Sequence, residues 1–336
     1  MMQPIQNFFP LLATPAKVVI TTHLKPDGDA MGSSLALFHF LKKMGFNVVV
    51  ISPTNWAAFL NWMPDVNSVV DFEAKRAIAE KLIQEAAIIF CLDFNNLPRI
   101  KKMENYLLAA PAIKVLIDHH QEPQAEAFDF GDSNTSKSST CEMVYDFIVN
   151  SGHANLIDVT IAECLYTGVM TDTGSFRFPA TSASVHRMVA FLKDKGLNHP
   201  KVHENIYDTS LENRLRFVGH VLLNRMEVLY EYNTVLLSIP KADLLKFGIQ
   251  TGDTEGLVNY PMSILGIKMV AIVIDRDEER KWSFRSKGNV DVNTFARTYF
   301  EGGGHFNAAG GSSHESLDAT VKHFFEVLPT MESVLA

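Results

Sequence analysis

Apolar positions in the first half of the chain switch repeatedly between two rhythms. Residues 17–22 form a β-branched run, and 31–44 carry helical apolar spacing that stops at Gly45, a common helix C-terminal signal. Residues 47–51 read as a strand and 56–62 as a short helix. Further strands are predicted at 68–72, 86–93 and 113–118, with helices at 73–85 and 98–108 between them. Strands that alternate with helices imply a mostly parallel sheet flanked by helices. The unbroken apolar run 86–92 fits a strand buried on both faces.

The rhythm changes further on. Residues 138–195 read as helical: 158–171 contain no Pro and one Gly, and a helix at 182–195 ends at Gly196. Residues 198–212 are polar with mixed helix signals, which suggests a linker. From about 222 the pattern becomes strand pairs, 227–232 with 234–239 and 268–275 with 281–285, followed by helices at 294–299 and 317–327. The expected organisation is an α/β domain over 1–196, a linker over 197–221 and a smaller α+β domain over 222–336. A length of 336 residues supports two domains.

Composition narrows the class. Hydrophobic residues make up 47% and charged residues 20%, which suits a globular chain with a large core and excludes a disordered or collagen-like one. No apolar run approaches the roughly 20 residues that span a bilayer. No Lys or Arg precedes Lys17, and no small-residue cleavage pattern follows an apolar core, so neither a secretion signal nor an anchor is expected. The expected location is the cytoplasm. Cys91, Cys141 and Cys164 are odd in number and widely spaced, as reduced buried thiols would be. Thirty Lys and Arg stand against 38 Asp and Glu, a formal net charge of −8. A groove that holds long nucleic acid by counterion release is usually basic, so the balance favours a short ligand in a site.

The candidate chemistry sits where strands end. The loop after the first strand reads His23-Leu24-Lys25-Pro26-Asp27-Gly28-Asp29-Ala30-Met31-Gly32-Ser33. Ligands of doubly wound sheets bind at strand C-terminal ends, where His23, Asp27 and Asp29 would gather. The plainer use of the two carboxylates is to cap the next helix. The pattern then recurs: Asp93 ends one apolar strand, and Asp118-His119-His120 end another. Asp172, in Thr171-Asp172-Thr173-Gly174-Ser175-Phe176, closes a helical segment. Five carboxylates and three imidazoles without cysteine suit Mn²⁺ or Mg²⁺ and not a structural zinc. They are too many for one catalytic ion. Two ions about 3.5–4 Å apart, sharing a bridging carboxylate, would use them for phosphate-ester hydrolysis.

In the second half, Glu301-Gly302-Gly303-Gly304-His305 leads into Phe306-Asn307-Ala308-Ala309-Gly310-Gly311. Consecutive glycines can bring backbone N–H groups to phosphate oxygens, although a tight turn would use them equally well. Arg285, at a strand end, can clamp a phosphate or stand as a solvated edge charge. Trp56 and Trp62 are expected in the core and His39, His186 and His220 in structural roles; Arg99, six residues after Asp93, is within reach of the site, but the plainer expectation leaves it outside.

On these motifs the chain resembles the DHH family of phosphoesterases over nearly its whole length. The first motif reads His-x-x-Pro-Asp-Gly-Asp-Ala-x-Gly-Ser, the second is Asp93, the third Asp118-His119-His120, and the fourth surrounds Asp172. Phe284-Arg285-Ser286, Asp291-Val292-Asn293 and Gly-Gly-Gly-His resemble the DHH-associated domain, in the arrangement of the two-domain oligoribonuclease and pAp phosphatase branch. The resemblance implies one metal on His23 and Asp27, a second on Asp29, His119 and Asp172, and Asp93 bridging. It places His120 beside the scissile phosphate and makes Asp118 the group that orients the imidazoles. It assigns Arg285, Ser286, Gly303, Gly304 and His305 to substrate phosphate across a cleft. Lys25 and Glu301 stand where the family pattern has Asn and Gly.

The implied cofactor is Mn²⁺, two per chain, with Mg²⁺ or Co²⁺ as substitutes. The implied activity is that of a 3′–5′ oligoribonuclease or 3′(2′),5′-bisphosphate nucleotidase, releasing mononucleotides from short RNA and AMP from pAp. Hydrolysis of signalling dinucleotides such as pGpG, pApA or c-di-AMP is the competing activity. A manganese pyrophosphatase would lack the Gly-Gly-Gly-His domain. A non-catalytic nucleotide-binding relative should have lost a ligand, and all six are present. The expected partner is short RNA or a nucleotide, not long nucleic acid or a membrane; a homodimer is left open.

Overall fold

In the computed structural model, which describes residues 2–250, 252–276 and 279–336, the chain forms two compact units, Met1–Thr209 and Ser210–Ala336. The first unit is built on a seven-stranded sheet: β1 (Gln3–Pro4), β2 (Lys17–Thr21), β3 (Asn47–Ser52), β4 (Val70–Asp71), β5 (Ile88–Leu92), β6 (Ile113–Asp118) and β7 (Phe130–Ser133). The order is β1-β7-β6-β5-β2-β3-β4, and the described pairings are parallel. From β2 the chain winds one way to β3 and β4, then returns past β2 to β5, β6 and β7. The reversal falls between β2 and β5, where open α/β sheets bind ligands.

Alternation along each strand explains the layers. Ile88, Phe90 and Leu92 of β5 join one core, while Ile89 and Cys91 join the other. On one face pack α1 (Gly28–Lys43), α4 (Thr140–Asn150) and α5 (Val159–Asp172); on the other lie α2 (Arg76–Glu85) and α3 (Glu104–Ala109). A side chain at Gly32 would come within 2.6 Å of the Cys164 carbonyl, so glycine lets α1 and α5 approach closely. The helices α6 (Ala183–Asp194) and α7 (His199–Tyr207) complete the unit. Cys91, Cys141 and Cys164 are free and buried.

Several elements differ from the expectation. Residues 56–62 hold only a 3-10 turn, Ala58–Leu60. Residues 98–108 are a 3-10 stretch, Leu97–Met103, broken at Lys101 (φ 42°) before α3 begins. Two strands of the first unit were not foreseen. β1 is two residues long, and β7 reads Phe-Gly-Asp-Ser, so neither carries an apolar rhythm. Residues 197–221 are largely helical: α7 buries Val202 and Ile206 in the first unit, and α8 (Glu212–Asn224) buries Phe217 and Val221 in the second.

The second unit contains β8 (Met226–Leu229), β9 (Thr234–Ile239), β10 (Met269–Asp275), β11 (Arg280–Ser286), β12 (Gly303–His305) and β13 (Ala308–Ser313), with α9 (Lys241–Phe247), α10 (Val292–Tyr299) and α11 (Leu317–Val327). The order is β12-β13-β11-β10-β9-β8; β9 and β10 are parallel and the other pairs antiparallel. Trp282 stacks on Phe284 (5.4 Å, 3°), and its indole donates to Thr320 Oγ1 at 3.0 Å. The glycine-rich segment is a hairpin and not an open loop. A Cβ at Gly302 would fall 2.0 Å from the Gly310 carbonyl, and one at Gly304 (φ 156°) 2.4 Å from that of Ala308. Backbone contact, more than a phosphate cradle, accounts for those glycines. Among the described residues no helix is long and apolar enough to cross a membrane.

Candidate metal centre

Parallel register sets the strand ends level. Thr21 pairs with Cys91 and Cys91 with Leu116, so His23, Asp93 and Asp118-His119-His120 emerge side by side. His23 Nδ1 lies 2.8 Å from the Leu24 carbonyl. A carbonyl only accepts, so Nδ1 carries the proton and Nε2 is the atom turned to the carboxylates. That atom stands 3.4 Å from Asp93 Oδ2 and 3.9 Å from Asp27 Oδ2. His119 is oriented the same way, its Nδ1 3.4 Å from the Lys137 carbonyl. Its Nε2 faces Asp93 at 3.4 Å, Asp172 at 3.4 Å and Asp29 at 3.8 Å. His120 Nδ1 is 2.7 Å from Asp118 Oδ1, and the His120 amide donates to Asp118 Oδ2 at 3.1 Å.

Asp27 fills both uses open to it in the sequence. It is the N-cap of α1, with Oδ1 accepting from the amides of Asp29 (3.0 Å) and Ala30 (3.1 Å), while Oδ2 is turned to His23. Asp93 sits in a left-handed conformation, φ 64°, a region few non-glycine residues adopt and one that recurs at functional sites. Asp172 ends α5. Among the described residues, three ligand groups lie wholly within the first unit, each with donor atoms within 4.8 Å: His23, Asp27 and Asp93; Asp29, Asp93 and His119; Asp93, Asp118 and His120. Asp93 belongs to each of these three.

The charges in the cluster oppose one another. Burial, with the charges of Asp93 and Asp172, pushes Asp29 well above the ordinary carboxylate range. Burial would raise Asp93 too, but hydrogen bonds from His119 and His23 hold it well below. For His119, burial alone would disfavour the proton; Asp93, Asp172 and Asp29 outweigh it and raise the imidazole well above its usual value. Burial keeps His120 low despite its bond to Asp118. An acid-rich, almost dry cluster of this kind fits divalent cations with oxygen and imidazole ligands.

The sequence did not reveal what supports this centre. The N-terminus of α4 cradles Asp29: the Thr140 amide donates to Oδ2 at 2.6 Å and the Cys141 amide to Oδ1 at 2.8 Å. Thr140 Oγ1 donates to Asp93 Oδ1 at 3.0 Å. The run Ser138-Ser139-Thr140, with Ser139 capping α4, was the available signal. A Cβ at Gly168 would lie 2.3 Å from Cys141 Sγ and 2.6 Å from Asp29 Oδ1. Arg99, expected outside, reaches the centre, its Nη1 donating to the Asp93 carbonyl at 3.5 Å. The kinked stretch Leu97–Met103 turns it back, which helical spacing could not foresee.

In the second unit, Arg285 and His305 both pair with Ala308, which places them on one face with a single alanine between. Ser286 Oγ donates to the Val290 carbonyl (2.6 Å) and accepts from Asn307 (2.9 Å). The Gly304 amide donates to Asn293 Oδ1 at 2.8 Å, so it is not free for a ligand. Gly303 pairs with Gly310. Lys25 (φ 52°) and Glu301 (φ 45°) occupy turns.

Two family models match the chain: the DHH family N-terminal domain over residues 17–169 and the DHHA1 domain over 229–329. A bifunctional oligoribonuclease and PAP phosphatase NrnA from Bacillus subtilis is 28% identical over 302 residues, 88% of each chain. Its namesake from Thermus thermophilus is 29% identical over 307 residues, 90% of this chain and 86% of that one. The crystal structure of an exopolyphosphatase-related protein from Bacteroides fragilis superposes with a TM-score of 0.93 at 38% identity, covering 98% of this chain and 97% of the other.

Proposed function

We infer the reaction from a family membership: the chain belongs to the DHH family, carries a DHHA1 domain, and is a phosphoric-ester hydrolase. We propose that it hydrolyses short oligoribonucleotides to mononucleotides and removes the 3′-phosphate of pAp. The names of the Bacillus and Thermus relatives support that substrate class.

In this reading His23, Asp27 and Asp93 hold one divalent cation, and Asp29, His119, Asp172 and Asp93 the other, with Mn²⁺ the preferred ion and Mg²⁺ or Co²⁺ substitutes. When bound, the cations acidify water and neutralise charge on the phosphoryl oxygen. The protein groups do the rest. Asp93 supplies the shared carboxylate, and its place in each of the three ligand groups within the first unit is the observation that carries the reading. Asp118 accepts from His120 Nδ1 and steadies the imidazolium form, in which Nε2–H can bond the phosphate or give its proton to the departing oxygen. Arg285 and His305, on one face of the second sheet, hold a further substrate phosphate, with Ser286, Gly303 and Gly304 shaping that surface. The reaction runs in the cytoplasm, on short RNA.

The test is a substrate panel with Mn²⁺: RNA dinucleotides, pAp, linear and cyclic signalling dinucleotides, and inorganic polyphosphate, included because of the Bacteroides relative. RNA dinucleotides and pAp should be consumed fastest. Chelation should abolish turnover, and Mn²⁺ should restore it better than Ca²⁺, which is larger and prefers more oxygen ligands. Turnover that survives exhaustive EDTA treatment rules out the metal centre.

A further inference from the structure

We propose that Arg99 is a catalytic residue whose guanidinium binds a non-bridging oxygen of the scissile phosphate. The proposal rests on the phosphoesterase reading of the metal centre and adds a cation that the ligand set does not include.

Arg99 is half-buried. Among the described residues its guanidinium makes one hydrogen bond, to the Asp93 main-chain carbonyl at 3.5 Å, and no ion pair. That is unusual beside so many carboxylates. Asp93, the nearest, has its side chain turned elsewhere: Oδ1 accepts from Thr140 and faces His119, and Oδ2 faces His23. Arg99 is thus held next to the acidic cluster by a neutral carbonyl, and most of its five donors lack a protein acceptor. A partly desolvated cation is costly without an anion, and a guanidinium matches two phosphate oxygens at once.

The position is also braced. The Arg99 carbonyl accepts from the Leu24 amide at 3.1 Å, which ties it to the His23 loop. Asn95 Nδ2 donates to the Gln121 carbonyl at 2.6 Å, and the Gln124 amide donates to the Asn95 carbonyl at 2.8 Å, which ties the same loop to the segment after His120. Arg99 therefore lies among the three loops that carry His23, Asp93 and His120. As the water oxygen bonds to phosphorus and the ester P–O bond breaks, negative charge gathers on the non-bridging oxygens. A fixed guanidinium there stabilises the transition state more than the bound ester.

The experiment compares Arg99→Ala, Arg99→Lys and, as a control, Lys102→Ala, an exposed position paired with Glu73 at 3.7 Å. Arg99→Ala should lower kcat on an RNA dinucleotide by about a hundredfold or more, with bound Mn²⁺ and melting temperature kept. Millimolar guanidinium ion should restore part of that kcat. Arg99→Lys should stay well below the native rate, and Lys102→Ala should match it. Calorimetry with inorganic phosphate on the Mn²⁺-loaded protein should show affinity about ten- to a hundredfold weaker in Arg99→Ala. A near-native kcat in Arg99→Ala, loss of Mn²⁺, or unchanged phosphate affinity would overturn the proposal. If the native protein turns over nothing in the panel while Arg99→Ala still weakens phosphate binding, the substrate reading fails and the assignment of Arg99 stands.

Discussion

The two units handle polar chemistry in opposite ways. The first buries it: Asp29 is 1% exposed, Asp93 2%, Asp118 0% and His119 5%, all at the ends of tightly packed strands and helices. The second keeps Arg285, Ser286 and His305 half-exposed on sheet strands and gives its interior to Trp282, Phe284, Phe295, Phe300 and Phe324. Buried like charges destabilise a fold unless cations or imidazoles answer them, so in the proposed reading the first unit's stability and its chemistry would depend on the same ions. The second unit's interior is mainly aromatic, and these polar groups stand at its surface instead of in its core.

Breaking the first half of that contrast should give the largest effect. Asp93→Asn keeps the shape but removes the shared charge. Turnover should fall by at least about a hundredfold, with loss of one bound ion. Near-normal turnover with two ions retained would remove Asp93 from the bridging position. The counterpart in the second unit is Arg285→Ala. It should remove a charge-assisted hydrogen bond of about 1.5–3 kcal/mol, a ten- to hundredfold loss in kcat/KM on RNA dinucleotides, with metal content unchanged. A small chromogenic phosphodiester should be hydrolysed almost as before; equal losses on both substrates would mean that Arg285 supports the fold instead.

A glycine pair sharpens the comparison. Gly168→Ala would push a methyl against Cys141 and Asp29, while Gly302→Ala would push one into the Gly310 carbonyl. Each should cost about 1–3 kcal/mol of stability. Only Gly168→Ala should also weaken Mn²⁺ binding, measured by titration of the folded variants. Equal metal affinity in both would break the proposed link between packing and charge in the first unit. The smallest effect concerns acid. Asp243 is held below the usual carboxylate range by a hydrogen bond from Arg225, against burial, with Oδ2 2.6 Å from the guanidinium. A depressed folded-state value means that the pair stabilises above the unfolded carboxylate pKa, and that this is lost as pH falls through the folded value. Asp243→Asn should therefore flatten the acid limb of the second unit's stability curve by less than about 1 kcal/mol, read by chemical denaturation at a series of pH values.

Much of this was legible in the sequence where one signal sufficed. The strands ending at His23, Asp93 and Asp118 showed as apolar runs closed by a ligand type, and burial on both faces made those runs continuous. Partnership was not legible. Gly304 reads as an open phosphate cradle until Asn293, eleven positions earlier, takes its amide. Thr140 has no mark of its own; it matters because α4 points its N-terminus at Asp29, a contact spanning 111 positions. Arg99 was weighed and left outside because spacing says nothing of a backbone kinked at Lys101. β1 and β7 escaped because a two-residue strand and a Gly-Asp-Ser strand owe their existence to neighbours, not to their own side chains.

The three thiols carry a practical consequence. Cys91, Cys141 and Cys164 are each 0% exposed, and burial raises all three above the ordinary thiol range, so in the folded protein they are neither reachable nor ionised. All lie in the first unit, and the second contains none. An alkylating reagent added at intervals therefore acts as a clock for one half of the molecule. Each modified chain records an opening of the Asp29 helix pair or of the central strands, unmixed with events elsewhere. Native samples should survive long storage in air with these thiols intact.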